Sequence, residues 1–301
     1  MKRILHMSDV HVGYSDLSDR FHKIVKNLTK GVIGNPSEFI IVISGDLVDN
    51  ANNPENYREV KERLIDLKEA GFEDILVIPG NHDYGTGSRG NKKYVRLFKQ
   101  SFFNKNRDYP LVDIIDKVAF IGLDSMAEEL HWYDRLWAQG ELGKKQLNRL
   151  SNILKSDDVV TCKKRVIYLH HHPFDQRPLH QLKDTNKLHD VLMNAVNNEI
   201  SIDAILYGHN HEGKSNNGLW GIPRCYDAGS ITLKPRSKLK KDLPWFGEVR
   251  NSTRVIDLDD NPNADCILNL HELKNNQGLI TYTPYAHQRL ENNFHDLFSI
   301  F

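Results

Sequence analysis

The chain has 301 residues, with 40 Lys plus Arg and 40 Asp plus Glu, so its formal net charge is zero. Proteins with a large duplex-DNA footprint usually carry a basic excess, so this balance argues against such a footprint while leaving a nuclease open. The chain is long enough to bury a core that needs no disulfides.

The cysteines Cys162, Cys225 and Cys266 are widely spaced and odd in number. That is not the pattern of a disulfide framework, and it favours a reducing cytosol. After residues 1–3, the apolar run covers only residues 4–5, which is too short for a signal peptide. No run approaches the ~18 apolar residues of a membrane span. We therefore expect a cytoplasmic chain with no transmembrane segment.

Short runs rich in Ile and Val recur along the chain, and each ends in polar residues or glycine, which is typical of buried strands. In chain order the predicted strands are 4–7, 39–44, 75–79, 118–123, 165–169, 204–207 and 254–258. Helical patterns lie between them, at 17–30, 55–70, 142–155 and 187–197. We expect Ser18 to cap the first helix and Gly71 to end the second. Strands alternating with helices predict an α/β domain.

Three stretches are less regular. Residues 124–140 carry Trp132, Tyr133 and Trp137 and are typical of a long surface loop that packs on the domain or contacts substrate. Residues 234–241 hold five basic side chains in eight positions, either a solvated loop or a rim that attracts anions. After about residue 259 the patterning weakens, and 281–301 is predicted to be a C-terminal arm.

Five polar clusters follow five of the predicted strands directly. They are Ser8-Asp9-Val10-His11, Gly45-Asp46-Leu47-Val48-Asp49, Gly80-Asn81-His82-Asp83, His170-His171-His172-Pro173 and Gly208-His209-Asn210-His211. Because α/β proteins assemble sites beyond the carboxyl ends of their strands, we expect these clusters to meet at one edge.

Carboxylate, imidazole and amide ligands together suit divalent Mn, Fe, Co or Zn, and the lack of cysteine argues against structural zinc. Residues two apart at a strand end share a face, which predicts that Asp9 and His11 point the same way, as do His209 and His211. Glycine before the acidic residue or histidine permits close approach of backbone and metal.

The ordered set DxH, GDxxD, GNHD, HxP and GHxH resembles the calcineurin-like metallophosphoesterase superfamily over roughly residues 3–232. The resemblance implies a four-layer αββα sandwich with two mixed β-sheets. It places a metallophosphoesterase domain at 1–260, with residues 261–301 as a C-terminal extension packed on or beside it.

The resemblance also implies a centre of two divalent metal ions, Mn²⁺ or Fe²⁺ first, with Zn²⁺, Co²⁺ and Ni²⁺ as alternatives. One ion would be bound by Asp9, His11 and His211. The other would be bound by Asn81, His171 and His209, and Asp46 would bridge the two. In the HHHP run the family ligand lies two residues before proline, which selects His171, with His170 and His172 as alternatives.

In the same resemblance His82 and Asp46 are the catalytic residues, and His82 stabilises the leaving-group oxygen or donates a proton to it. Two metal ions activate a water for in-line attack on phosphorus. Asp49 and Asp83 would orient the ligands. Asp49 stands where purple acid phosphatases carry a tyrosine, and Asp83 where calcineurin-type phosphatases carry glutamate. The pattern is most similar to the bacterial cyclic-nucleotide-phosphodiesterase-like branch.

We therefore predict a phosphodiesterase acting on nucleotide-like or small phosphorylated substrates, with a phosphomonoesterase or a metal-dependent nuclease as alternatives. A hydrolase of phospholipid precursors would need an apolar lid, for which only residues 124–140 offer a hint. A non-catalytic scaffold is disfavoured because no ligand position is lost. No substrate-binding residue is singled out, although His131 and His180 are candidates, and the oligomeric state is left open.

Overall fold

The structure is a computed structural model that describes residues 1–86, 91–103, 107–127, 139–175, 177, 180–233, 249–262, 265–268 and 270. The ten strands in chain order are β1 (Arg3–Met7), β2 (Phe39–Ile43), β3 (Asp74–Val77), β4 (Leu111–Ile115), β5 (Val118–Gly122), β6 (Lys164–Tyr168), β7 (Ala204–Tyr207), β8 (Arg224–Asp227), β9 (Thr253–Ile256) and β10 (Cys266–Leu268). The six α-helices are α1 (Leu17–Thr29), α2 (Pro54–Glu69), α3 (Lys92–Phe102), α4 (Lys144–Leu154), α5 (Asp157–Val160) and α6 (Thr185–Asn197). Two short 3₁₀ helices span Pro36–Glu38 and Leu219–Gly221.

The strands form two mixed five-stranded sheets. The first has the order β10-β9-β1-β2-β3, in which β1, β2 and β3 are parallel and β9 is antiparallel to both of its neighbours. The second has the order β4-β5-β6-β7-β8, in which only the β4–β5 pair is antiparallel. The strands that precede the polar clusters are therefore parallel within each sheet, and their carboxyl ends share an edge.

Alternating side chains along the strands create the layers. Ile4 and Ile40 point between the sheets and pack in one apolar core with β5, β6 and β7. Leu5 and Ile41 point the other way, into a second core lined by α1, α2 and α3. Helices α4 and α6 add their leucines to the core of the second sheet. The predicted four-layer αββα sandwich with two mixed sheets is confirmed.

The seven predicted strands and four predicted helices are all present. Three strands were missed: β4 lies at a sheet edge and is only partly buried, β8 contains Arg224 and Asp227, and β10 has only three residues. Helix α3 and the single turn α5 were missed as well. The three missed strands lack the continuous apolar runs that marked the predicted strands.

The expected cap of α1 is wrong. Asp16 occupies the N-cap position, and the hydroxyl of Ser18 instead accepts the Gly13 N–H and donates to Glu59. The predicted end of α2 is confirmed, since the helix stops one residue before Ala70 and Gly71 follows with φ of +105°.

Strand β10 extends the first sheet beyond residue 260 by pairing with β9. The division of the chain at residue 260 stays a prediction, and residues 271–301 lie outside the described residues. So do His131, Trp132, Tyr133 and Trp137 and the whole basic run at 234–241. Within the described part, none of the helices combines the length and hydropathy that a membrane span requires.

Candidate metal centre

The five polar clusters converge beyond the carboxyl ends of β1, β2, β3, β6 and β7. Backbone bonds join the first two loops, since Asp9 N–H donates to the Gly45 carbonyl at 3.0 Å and His11 N–H donates to the Asp46 carbonyl at 3.0 Å. The His209 N–H donates to Asp9 Oδ2 at 3.1 Å, which brings the fifth cluster to the first. The two sheets thus contribute to one site between them.

The loops carry unusual backbone conformations. Ten described non-glycine residues have positive φ, and half of them are Asp9, His11, Asp46, His209 and His211. This conformation costs a residue that carries a Cβ atom roughly 1 kcal/mol or more. It persists where surrounding contacts enforce it. The side chains of Asp9 and His11 share a direction, but strand alternation is the wrong reason, since β1 ends at Met7. The left-handed turn sets their direction instead.

Glycine permits the close packing of these loops. A Cβ on Gly80 would overlap the carboxylate of Asp46, and a Cβ on Gly208 would overlap Ser8 and Asp9. The glycines of the GNHD and GHxH motifs therefore allow the loops to approach one another.

We define the first cluster as Asp9, His11, Asp46 and His211, whose ligand atoms face one another. His211 Nε2 lies 3.0 Å from Asp9 Oδ1 and 3.3 Å from His11 Nε2. His11 Nε2 lies 3.8 Å from both Asp9 Oδ1 and Asp46 Oδ2. Asp9, His11 and Asp46 are buried, and His211 is 23% exposed.

We define the second cluster as Asn81, His170, His171 and His209, which adjoins the first through Asp46. Asn81 Oδ1 lies 3.0 Å from His170 Nε2 and 3.1 Å from His209 Nδ1. His170 Nε2 also lies 3.4 Å from Asp46 Oδ2. The His171 ring stacks at an angle on that of His209, with 4.4 Å between centroids.

His82 lies at the mouth of the first cluster, where 26% of its side chain is exposed. Its Nδ1 lies 2.6 Å from the carbonyl oxygen of Asp49, and a carbonyl can only accept, so Nδ1 carries the proton. Nε2 is therefore the ring nitrogen left to contact another group. The ring stands edge-on to His11 at 4.8 Å. The structure brings His82 and Asp49 together, through the Asp49 backbone.

Asp83 is fully buried and ties two loops together. Its carboxylate accepts the N–H groups of Leu47 at 3.2 Å, Val48 at 3.1 Å and Gly80 at 2.8 Å. Burial and the nearby Asp46 raise the pKa of Asp83 to about 7. Asp83 therefore positions the loops that carry Asp46 and Asn81.

The electrostatics of the centre favour a bound cation. Burial alone would raise the pKa of Asp46, but the imidazoles of His170 and His82 hold it well below its ordinary value. Burial lowers the pKa of His11 to about 3 and that of His209 well below its usual range. Burial also opposes a charge on His170, yet Asp46 and Asp9 raise its pKa to about 9. Ionised Asp46 beside the neutral imidazoles of His11 and His209 is the protonation state that metals select, whereas His170 would release a proton on binding one.

The donor atoms fit divalent ions. Ligands about 2.0–2.2 Å from one ion lie roughly 3.0–3.6 Å from each other. His211 Nε2 lies within this range of Asp9 Oδ1 and His11 Nε2, as does Asn81 Oδ1 of His170 Nε2 and His209 Nδ1. Asp9, His11 and His211 each offer an atom within 4.8 Å of the others, as do Asp9, Asp46 and His170. The Nε2 atoms of His171 and His209 are buried with no hydrogen-bond partner among the described residues.

A charged network supports the loop between the two final ligands. Asn210 Nδ2 donates to Asp175 Oδ2 at 2.7 Å, and Arg177 binds Asp175 and, at 3.1 Å, Glu212. His180 is close by, with its ring 5.7 Å from that of His209.

The structure also brings in residues that sequence reasoning missed. Ser125 Oγ lies 2.7 Å from His171 Nδ1, and the Ser44 carbonyl lies 2.8 Å from His170 Nδ1. Asp227 accepts the N–H groups of Glu212 and Gly229 behind the GHxH loop. Neither the motifs nor the periodicity of the sequence indicates these contacts, because each depends on tertiary packing.

Solved structures with this fold include a dimetal phosphatase from Danio rerio, with a TM-score of 0.59, 13% identity, and coverage of 88% of this chain and 98% of that chain. GAP50, the anchor in the inner membrane complex of Plasmodium, has a TM-score of 0.54 and 12% identity, with coverage of 96% and 94%. A 5'-nucleotidase from Candida albicans has a TM-score of 0.53 and 11% identity, with coverage of 98% of this chain and 58% of that chain.

No curated protein sequence matches the chain closely enough to count as a relative. A family model described as calcineurin-like phosphoesterase matches residues 2–213, which is more than half of the chain and includes all five motifs. The chain thus belongs to the calcineurin-like phosphoesterase family, and it is a hydrolase of phosphoesters.

Proposed function

We propose that the chain is a binuclear-metal-dependent phosphodiesterase that acts on nucleotide-like or other small phosphorylated substrates. The observation that carries this proposal is a pair of adjoining ligand clusters that share the carboxylate of Asp46. Asp46, whose carboxylate faces both clusters, would serve two ions, as a shared carboxylate does in two-metal hydrolases.

Each side chain has a role in this proposal. Asp9, His11 and His211 hold one ion, Asn81 and His209 hold the other with a histidine of the HHHP run, and Asp46 bridges them. The ions, with Mn²⁺ or Fe²⁺ first and Zn²⁺, Co²⁺ or Ni²⁺ as alternatives, supply Lewis acidity and a nucleophilic water when bound.

His82 is the proposed proton donor to the leaving oxygen. Its Nδ1–H is held by the Asp49 carbonyl, so Nε2 is the ring atom available to the substrate. General acid catalysis of this kind contributes about 10²–10⁴ in rate. Asp49 and Asp83 orient His82 and the ligand loops.

Preference for a diester rests on charge. Arg177 and Lys214, two cations beside the GHxH loop, are ion-paired with Asp175 and Glu212. Because these cations are already paired, little positive charge remains there to balance the two negative charges of a monoester. The single charge of a diester needs less. A phosphomonoesterase is the second candidate, and a nuclease would draw on the basic run at 234–241.

The compartment proposed is the cytoplasm. Cys162, Cys225 and Cys266 are all free and buried, which supports a reducing environment.

The test is an assay of protein stripped of metal and resupplied with each candidate ion, using bis-p-nitrophenyl phosphate and p-nitrophenyl phosphate side by side. We expect metal-dependent release chiefly from the diester, and a His82→Asn variant that keeps its metal should lose about 10²-fold or more in kcat. Release mainly from the monoester would favour a phosphatase. No turnover with any ion, in protein that binds two, would refute the proposal and favour a scaffold.

A further inference from the structure

Two helices beside the metal centre carry basic side chains and no acidic ones. The sequence 92–107, which begins with α3, has six basic residues and no Asp or Glu, and 144–155, which contains α4, has four basic residues and no Asp or Glu. Because the chain as a whole is neutral, these segments concentrate positive charge locally. We define the basic face by the exposed and half-exposed side chains of the two helices, Lys92, Lys93, Arg96, Lys99, Lys145 and Arg149.

The charges form a stripe on each helix. Lys92, Arg96 and Lys99 are spaced i, i+4 and i+7 along α3, and positions with this spacing share one side of a helix. Lys145 and Arg149 are spaced i, i+4 along α4 and share a side in the same way. The opposite sides of both helices pack into the two apolar cores, so the stripes are turned towards solvent.

Asp108 joins the two stripes. Its carboxylate lies 3.8 Å from Lys99 Nζ of α3 and 3.4 Å from Arg149 Nη2 of α4, so the stripes are adjacent parts of one surface. The basic side chains of the neighbouring helix α2 are different, since two of them pair with acidic residues of their own helix. The members of the basic face that have no carboxylate partner among the described residues are Lys92, Lys93, Arg96 and Lys145.

The basic face begins beside the metal centre. Asn91, the N-cap of α3, donates its N–H to the carbonyl of Tyr84 at 2.8 Å, in the loop that carries His82. At the start of α4, the side chain of Gln146 exchanges two hydrogen bonds of 2.8 Å with the backbone of Asp124, next to the serine that contacts the second cluster. Both stripes therefore start at the centre and extend away from it.

The chemistry of the basic face fits a polyanion in solution. A helix that binds a membrane surface presents apolar side chains to the lipid. On α3 the apolar residues Tyr94 and Phe98 are buried in the second core instead. In the described part of the chain, the exposed large apolar side chains all lie outside α3 and α4. Unpaired cations without exposed apolar neighbours are suited to the phosphates of a nucleic acid backbone.

We propose that the substrate is a single-stranded oligonucleotide, with one phosphodiester at the metal centre and the strand beside it bound along the basic face. The proposal rests on the diester hydrolysis proposed above: water breaks one P–O bond and leaves a phosphate monoester on one fragment and a hydroxyl on the other. A single strand fits because the ligands Asp9, His11 and Asp46 are buried in a recess. A flexible strand can lead one phosphate into that recess, whereas bending a stiff duplex costs energy.

The first experiment measures binding of a fluorescein-labelled oligothymidylate by fluorescence anisotropy, in the His82→Asn background so that the probe is cleaved slowly. The face variant combines Lys92→Gln, Arg96→Gln and Lys145→Gln. The matched control removes the same charge from exposed positions on or just after α1, through Lys23→Gln, Lys26→Gln and Lys30→Gln. Circular dichroism verifies the fold of both.

We expect the face variant to raise Kd about tenfold or more, and the control to leave Kd unchanged. Between about 50 mM and about 200 mM salt, the dependence of log Kd on log salt should become shallower by about 2 in the face variant, because three fewer phosphate contacts release fewer counterions. An equal Kd for the face variant and the control would overturn the proposal. So would a wild type that binds phosphatidylserine vesicles but not the oligonucleotide, since the basic face would then be a membrane contact.

The second experiment measures turnover of the metal-loaded protein with its native His82. The face variant should hydrolyse bis-p-nitrophenyl phosphate at the wild-type rate, because this small diester reaches the metals without the basic face, while its KM for the oligonucleotide rises about tenfold or more. An unchanged KM for the oligonucleotide would refute only this assignment. A wild type that hydrolyses neither diester with any metal would refute the proposed function, and with it the oligonucleotide as substrate.

Discussion

The first and second clusters of the centre use the same chemistry but differ in how the sequence specifies them. In the first, Asp9 and His11 come from the DxH motif and His211 from the GHxH motif, and their ligand atoms face one another directly. In the second, the HHHP run offers neighbouring histidines whose contacts differ, since His170 Nδ1 lies against the Ser44 carbonyl and His171 Nδ1 against the Ser125 hydroxyl. Motif spacing therefore selects the loop, while tertiary packing decides what each imidazole of the loop contacts.

The largest expected effect comes from the residue common to both clusters. Asp46→Asn removes the charge shared between them and should lower kcat/KM at least about a thousandfold, equivalent to about 4 kcal/mol in the barrier. The measurement is diester hydrolysis together with metal content. Asp74→Asn, which alters only a surface pair with Lys2, is the control. A variant of Asp46 within tenfold of the wild type would contradict the bridging role.

Much of the fold was predictable because it depends on local pattern. The runs that form β1, β2 and β7 are buried on both faces, and continuous apolar sequence reports that directly. Strand β8 was not predictable, because buried Arg224 is paired with Asp265 from a distant part of the chain. Periodicity carries no information about such a pair.

The site was predictable as a set of loops but not as a geometry. The five motifs predicted that these loops meet at one edge, and in the structure His209 contacts both Asp9 and Asn81. The left-handed φ values of these loops depend on backbone bonds between loops, which no single motif contains. The contribution of Ser125 depends in the same way on a residue far from His171 in sequence.

The second prediction concerns Asp124, which lies next to Ser125, the residue that contacts His171 of the second cluster. Burial raises the pKa of Asp124 to about 6, and its carboxylate accepts from Tyr84 and the Met126 N–H. Because the folded pKa exceeds the unfolded one, the folded state binds more protons, and stability falls as pH rises from about 4 to 6. This group alone should lower the free energy of unfolding by about 2 kcal/mol across that range.

Asp124→Asn should remove that part of the pH dependence. Denaturant unfolding of both proteins at pH 4, 5 and 6 measures the difference between them, so that other titrating groups cancel. Parallel curves for the two proteins would show that Asp124 does not titrate in this range.

The third prediction tests whether the two clusters depend on a common support. Asp83 accepts N–H groups from the loop of Asp46 and from the loop of Asn81, and asparagine would turn one acceptor into a donor that faces an N–H. We expect Asp83→Asn to weaken metal binding about 10–100-fold. Metal titration of Asp83→Asn beside Asp113→Asn, a carboxylate paired with Arg107 away from the centre, is the comparison. Loss confined to one equivalent of metal would show that Asp83 supports only one loop.

The smallest effect is expected at the rim, where one network holds the loop that gives His211 to the first cluster and His209 to the second. Arg177 fixes Asp175 and Glu212, and Asp175 holds Asn210 between the two ligands. A partly exposed ion pair contributes about 1 kcal/mol, so Arg177→Ala should lower kcat/KM about fivefold with both metals retained.

Arg177→Lys should recover little of that loss, because an ammonium cannot form the two-pronged contact of a guanidinium with Asp175. Lys214→Ala, which removes an exposed partner of Glu212, should leave the rate unchanged. If Arg177→Ala instead lost one metal selectively, the network would be supporting one ligand more than the other. The two histidines of the GHxH motif would then differ in how they are held, just as the two histidines of the HHHP run do.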